Sequence, residues 1–197
     1  MAAGIAGLIL AGGSGERYGA PKAFARLPDG RPFLAACAEA LRGGGAEPVL
    51  ATVPAGTPAL QAPTLECLPL PEPGLAMFDS LRFGLRHLTG DASWSVVIVL
   101  PVDHPLVAPE TVRVLGGLQA DAAIPSYQGK HGHPVMLSRR VAEGIAGGAH
   151  RGPSLREVLR AVGTVDLPVD DPGINANCNT PAALAAALAR LGARPQP

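Results

Sequence analysis

The chain has 197 residues, and its sixteen Lys and Arg balance sixteen Asp and Glu to a formal net charge of zero. That balance argues against a dedicated nucleic-acid binder, which carries a basic stripe or a basic isoelectric point. A content of 47% hydrophobic against 16% charged residues excludes a wholly disordered chain and allows a sizeable core. Only two of the sixteen cations are lysines, Lys22 and Lys130.

Taken in order, Ile5–Leu10 is a continuous apolar run ending at a cluster of glycines, the pattern of a strand buried on both faces of a parallel sheet. Pro32–Arg42 carries Phe33, Leu34, Ala38 and Leu41 at helical spacing and stops at Gly43-Gly44-Gly45. Pro48–Val53 is expected as a second strand. Ala55–Pro73, rich in proline, is expected as loop with one short strand near Thr64–Leu68. Met77, Leu81, Gly84, Leu85 and Leu88 predict an amphipathic helix, and Trp94–Leu100 is the strongest strand signal in the chain. Pro109–Leu118 predicts a helix opening on a proline and an acid. Ala122–Pro125 and Pro134–Leu137 are short strands on either side of a glycine- and histidine-containing turn. Helices follow near Arg139–Ile145 and from Pro153-Ser154, then a strand over Gly163–Val169 and a last helix, Thr180–Leu191, capped by Thr180.

Strand and helix alternate through the first two-thirds, which predicts an α/β, Rossmann-like layered fold with a mostly parallel sheet and a short antiparallel edge supplied by residues 122–170. No linker divides the chain, so residues 1–197 are expected to form a single domain. Cys37, Cys67 and Cys178 are odd in number and far apart, which suits reduced thiols in a cytoplasmic protein. The apolar start, Met1–Gly13, has no cation before Arg17, and no apolar run approaches the ~20 residues that span a bilayer. Neither a signal peptide nor a membrane partner is expected.

Ligands of open parallel sheets bind outside the carboxyl ends of the strands, which singles out Ala11–Lys22 and Pro101–Pro105. In the first, Leu10, Ala11, Gly12, Gly13, Ser14 and Gly15 allow backbone N–H groups to approach an anion, and Arg17 and Lys22 add positive charge. Lys22 is followed by Ala23, so this is no G-x-x-x-x-G-K-[ST] loop, and Tyr18 stands where a dinucleotide fingerprint has its third glycine. A serine hydrolase is disfavoured: there is no G-x-S-x-G, and Asp103 and His104 are adjacent in sequence. His87, His150, Lys130 and His131 read as surface residues, His133 equally as a structural hydrogen-bond partner, and Ser80 equally as a helix hydroxyl bonding back to its own backbone.

The stretch Leu-Ala-Gly-Gly-x-x-x-Arg-x-Gly-x-x-Lys over residues 10–22 resembles the signature of small nucleotidyltransferases, above all the molybdenum cofactor guanylyl- and cytidylyltransferases. Ser80-Leu81-x-x-Gly84, Asp103 after the strongest strand, Gly132-His133-Pro134-Val135 and Asn177-Cys178-Asn179-Thr180-Pro181 continue the likeness in the same order. It implies transfer of a nucleoside monophosphate from GTP or CTP to a phosphate-bearing acceptor, molybdopterin foremost, with Mg²⁺ and release of pyrophosphate. Lys22, Arg17 and Asp103 would be catalytic, and Leu10 to Gly15, Lys22, Ser80 and Asp103 would contact nucleotide. Asp103 with Asn179 or Asn177 would hold the metal, although cytidylyl members usually carry Asp-x-Asp-Thr-Pro where this chain has Asn-x-Asn-Thr-Pro. Leu-Ala-Gly-Gly and Asn-x-Asn-Thr-Pro point to GTP, whereas Ser-Leu-x-x-Gly points to CTP. A molybdoenzyme or a chaperone is the protein partner that the resemblance brings with it. Two alternatives stand beside this reading: a sugar or polyol phosphate as acceptor, because Pro21-Lys22 also resembles larger relatives, and a nucleotide-binding module without turnover.

Overall fold

The computed structural model describes residues 4–13, 22–57, 65–90, 93–150 and 154–192. Strand β1 (Gly4–Leu10) lies between β2 (Ala46–Val53) and β4 (Trp94–Pro101), parallel to both, and β3 (Glu66–Pro69) adds a further parallel strand beside β2. The rest of the sheet is built from β5 (Ala122–Tyr127), β6 (Lys130–His131), β7 (Val135–Ser138) and β8 (Val165–Pro168). The order is β3-β2-β1-β4-β7-β5-β6, with β8 parallel to β5. The expected α/β fold with a mostly parallel sheet is therefore present, and β6 supplies the short antiparallel edge. A second antiparallel strand, β7, lies inside the sheet between β4 and β5. The connection from β5 through β6 to β7 is too short for a crossover helix, and a short connection can return the chain only in the opposite direction.

The continuous apolar runs arise because both faces of the sheet are covered. On one face Ile9, Ile98 and Leu100 pack with α1 (Phe33–Gly43), α3 (Pro109–Gly116) and α6 (Pro181–Gly192). On the other Leu8, Leu10, Val97 and Val99 pack with α2 (Met77–Leu88), α4 (Arg139–Ala146) and α5 (Leu155–Val162). Successive side chains of a strand point to opposite faces, so a strand covered twice must be apolar at every position. The helix ends follow local chemistry: Thr180 Oγ1 accepts from the Ala183 N–H at 3.1 Å, ahead of Pro181, and Ser138 caps α4 through Val141 N–H. Among the described residues no helix is long and apolar enough to cross a membrane.

Helix α2 touches the sheet through a glycine. A Cβ at Gly84 would come within 2.7 Å of Leu8 Cδ1 and 3.0 Å of Thr52 Cγ2. Gly84→Val is therefore expected to destabilise the protein by about 2–3 kcal/mol through overpacking, read as a lower urea midpoint at unchanged slope.

Candidate active site

The carboxyl ends of β1 and β4 lie side by side, with Leu10 in register with Pro101. Pairing continues beyond the strand ends: Val102 N–H donates to Leu10 O at 3.1 Å, between the β4 and β1 ends, and Ala11 N–H to Thr52 O of β2 at 2.9 Å. Two loops consequently leave the sheet together, one carrying Gly12 and Gly13 and the other Asp103 and His104. Lys22 opens a short 3₁₀ turn, Lys22–Phe24, anchored by the fully buried Ala23. Its ammonium donates to Asn179 Oδ1, from 157 residues further along the chain, and stands 3.5 Å from Asp103 Oδ2. The Lys22 and Asp103 side chains are 22% and 16% exposed, so this cluster is only partly open to solvent.

Asn179 is delivered by a segment pressed against the loop after β4. Cys178 N–H donates to Asp103 O at 2.7 Å, and His133 N–H donates to Ile174 O at 2.9 Å. Upstream, the buried Asp171 carboxylate accepts from Ala108 N–H at 2.9 Å, Thr111 Oγ1–H at 2.7 Å and Gly173 N–H at 2.8 Å. The backbones meet so closely that a Cβ at Gly173 would lie 2.0 Å from Leu106 O, and one at Gly132 2.4 Å from Ile174 O. These contacts fix where Asn179 sits.

The cluster is lined on one side by neutral imidazoles. His104 is buried, with Nε2 3.9 Å from Asp103 Oδ1, and its ring stands edge-on to His133 at 4.7 Å. Burial pushes His133 down to about 4 and holds His104 below the usual histidine range, against the pull of Asp103. Neither Nδ1 atom has a hydrogen-bond partner among the described residues. Burial likewise raises the Cys178 thiol to about 11 and Cys37 further still, so neither is a nucleophile at neutral pH.

The structure thus brings Lys22, Asp103 and Asn179 together. Leu10 and Ala11 are buried at the strand end, Gly12 is half-buried and Gly13 exposed; Ser14, Gly15 and Arg17 lie outside the described residues. Ser80 bonds back to Ala76 O at 3.2 Å, and a Cβ on Gly12 would meet Leu70 Cδ1 at 2.4 Å and Ser80 Oγ at 3.4 Å, so these three residues share one spot. Asn177 is exposed and lines a separate cleft of about 460 Å³ with Lys130, Asn175 and Arg190. Among the described residues no group of three or more His, Cys, Asp and Glu could hold a metal ion. Asp103 and Asn179 still fit a hard divalent cation that keeps waters and takes substrate phosphates as its other ligands, since their oxygens converge on one cationic group, the Lys22 ammonium. Sequence reading missed Asp171 and His104; the Asp171-Pro172 pair before a turn was the one signal available for the former.

Residues 7–169 match the family model described as the MobA-like NTP transferase domain. The chain belongs to this family. A curated relative, the bifunctional enzyme IspD/IspF of Erythrobacter litoralis, is 32% identical over 81% of this chain and 40% of its own length. Another, a probable molybdenum cofactor guanylyltransferase of a Geobacillus species, is 31% identical over 56% of each chain. The chain spans from 25% to 56% of the length of the curated relatives it matches. Of solved structures, Rv0371c of Mycobacterium tuberculosis in complex with manganese superposes with a TM-score of 0.71 at 22% identity, over 94% of this chain and 98% of that one. The 2-C-methyl-D-erythritol 4-phosphate cytidylyltransferase of Thermus thermophilus gives 0.71 at 21% identity, over 95% and 98%. At those identities the superpositions establish a shared fold. MobA-like NTP transferase domains are nucleotidyltransferases.

In this MobA-like domain Asp171→Ala would strand three donors, and is expected to cost about 3 kcal/mol, measurable by denaturant titration. His133, neutral in the fold and free to protonate in the unfolded chain, gives stability that falls as pH drops from about 6.5 toward 4. The expected loss is on the order of 2 kcal/mol across that window, and His133→Asn should flatten the pH dependence of the thermal midpoint.

Proposed function

We propose that the protein transfers a nucleoside monophosphate from GTP or CTP to a phosphate-bearing acceptor, with molybdopterin as the acceptor to test first. The observation that carries this reading is the convergence of Lys22, Asp103 and Asn179 outside the carboxyl ends of β1 and β4. In the reaction an acceptor phosphate oxygen attacks the α-phosphorus, a new P–O bond forms, the α–β bridging P–O bond breaks and pyrophosphate leaves. Such chemistry asks a protein for positioning and charge more than for covalent work. Backbone N–H groups of Gly12, Gly13, Ser14 and Gly15, together with the Arg17 guanidinium, would cradle the triphosphate. Leu10, Ala11 and Ser80 would lie against the nucleoside. Lys22 would turn its N–H groups from Asn179 to the oxygens on which charge grows in the transition state. Asp103 and Asn179 would hold Mg²⁺, and Asn177, which lines the other cleft, would not share it; the ion, when bound, neutralises phosphate charge. The manganese complex of the mycobacterial relative supports a divalent ion in this fold. Residues 1–197 are taken as one transferase domain, working in the cytoplasm, where free thiols such as buried Cys37 and Cys178 stay reduced. A molybdoenzyme or a chaperone would then receive the product.

A polyol phosphate as acceptor is the second reading, favoured by the likeness to the Thermus enzyme. Pyrophosphate release with each of the four triphosphates, Mg²⁺ and either molybdopterin or 2-C-methyl-D-erythritol 4-phosphate separates the two. Release is expected with GTP or CTP and molybdopterin. Release with the erythritol phosphate alone transfers the assignment to the second reading, and tight nucleotide binding without release makes the protein a binding module. Asp103→Ala is expected to lower metal-dependent turnover about a thousandfold and Lys22→Ala about a hundredfold in kcat. A Lys22→Ala loss confined to KM would restrict that lysine to ground-state binding.

A further inference from the structure

We propose that the cleft of about 460 Å³ between the β5–β6 hairpin and α6 is a second ligand site, built for a small phosphomonoester with a hydroxylated body, a sugar phosphate in chemical class. The site lies outside the transferase chemistry above, and no step of that reaction uses it. Lys22, Asp103 and Asn179 are not part of its lining. The segment dividing the two places serves both: Asn175 and Asn177 line the cleft, while Asn179 accepts from Lys22. Between them Cys178 is fully buried, with its N–H held by Asp103 O.

Charge, hydrogen bonding and size specify the occupant. Lys130 and Arg190 both border the cleft, and no Asp or Glu does. Among the described residues neither cation makes an ion pair, whereas Arg31, Arg82, Arg113, Arg139 and Arg140 each have a carboxylate partner. Two unpaired cations suit a dianion, and a guanidinium fork matches phosphate oxygens. Three amides, Gln128, Asn175 and Asn177, supply the donors and acceptors that hydroxyl groups need. Asn175 is itself held in place, since its Nδ2 donates to Lys130 O at 3.2 Å. Ala183, Ala187 and Leu191 of α6 give an apolar wall for a carbon skeleton. The volume falls in the range of roughly 300–1,000 Å³ that holds a whole small molecule. The hairpin turn adds an independent sign. Gln128 has φ +50° ahead of Gly129 at φ +75°, a pair of left-handed residues for which Gly and Asn are far better suited than Gln. The amide kept at this conformational cost borders the cleft and donates to the Tyr127 hydroxyl at 3.2 Å. Strain retained at a lining residue points to a ligand that its side chain serves.

The test uses the full chain with ribose 5-phosphate and glucose 6-phosphate, binding being read by isothermal titration calorimetry. Saturable binding of at least one is expected, with the unphosphorylated sugar giving no heat and inorganic phosphate binding about tenfold or more weakly. Lys130→Ala and Arg190→Ala are each expected to weaken binding about tenfold. Lys22→Ala and a saturating non-hydrolysable GTP or CTP analogue are expected to leave it unchanged. Gln128→Gly separates ligand binding from folding: it relieves the turn, so the thermal midpoint is expected to hold or rise while the sugar phosphate binds severalfold more weakly. Lys130, Arg190 and Gln128 are exposed, so their variants are expected to fold. Loss of binding in Lys22→Ala, or competition by the nucleotide analogue, would place the phosphate in the reactive cluster and overturn the proposal. Equal affinity for inorganic phosphate would overturn the sugar phosphate class. Absence of heat with both sugar phosphates, or wild-type affinity in both Lys130→Ala and Arg190→Ala, would overturn the site itself. Pyrophosphate release has no part in these measurements, so failure of the transferase reading would leave their outcome unchanged.

Discussion

The candidate site depends on a cation held between two oxygens that the chain brings from far apart. Lys22 follows the first strand, Asp103 follows the fourth, and Asn179 precedes the last helix. Exposed, such a pairing would be worth little, because water screens it and long side chains lose entropy in making it. Here the groups are partly withdrawn from water, and two arrangements of the backbone hold them. Parallel pairing of β1 and β4 aligns their carboxyl ends, so the two loops leave the sheet at the same place. The 171–179 segment is then tied down by the Asp171 carboxylate at one end and by the Cys178–Asp103 backbone bond at the other.

The surrounding electrostatics are arranged by burial. His104 lies beside Asp103 and His133 packs edge-on against His104, and as cations they would answer the carboxylate's charge in place of Lys22. Burial keeps both neutral at physiological pH, so the carboxylate remains available to the lysine or to a metal ion. This is consistent with a chain of zero net charge. An anionic substrate would be met by a few local groups and not by a field spread over the surface.

What could be read in the sequence was what neighbouring residues enforce on one another. β1 and β4 were legible because strands covered on both faces must be apolar throughout, and the start of α6 because Thr180 and Pro181 satisfy a helix end within one turn. Lys22 and Asp103 were singled out by motif likeness, with one of two lysines falling in the glycine-rich segment, and the structure brings the two together. The Ser80 hydroxyl could be read two ways, and its bond to Ala76 O shows the helical one to be present.

Other features have no local signature. The place of β7 inside the sheet depends on which strand edges remain open once β1 and β4 have paired, information that no single segment contains. Asn177 and Asn179 look alike in sequence, yet Asn179 meets Lys22 while Asn177 lines another cleft, because the 3₁₀ turn at Pro172–Asn175 sets the direction in which the segment approaches Asp103. The sequence by itself determined the alternation of elements, the buried strands and the chemical types at the site, since periodicity and capping act over a few residues. Only the tertiary structure decided which of those groups touch, because contacts across more than a hundred residues depend on how two helical layers close over one sheet.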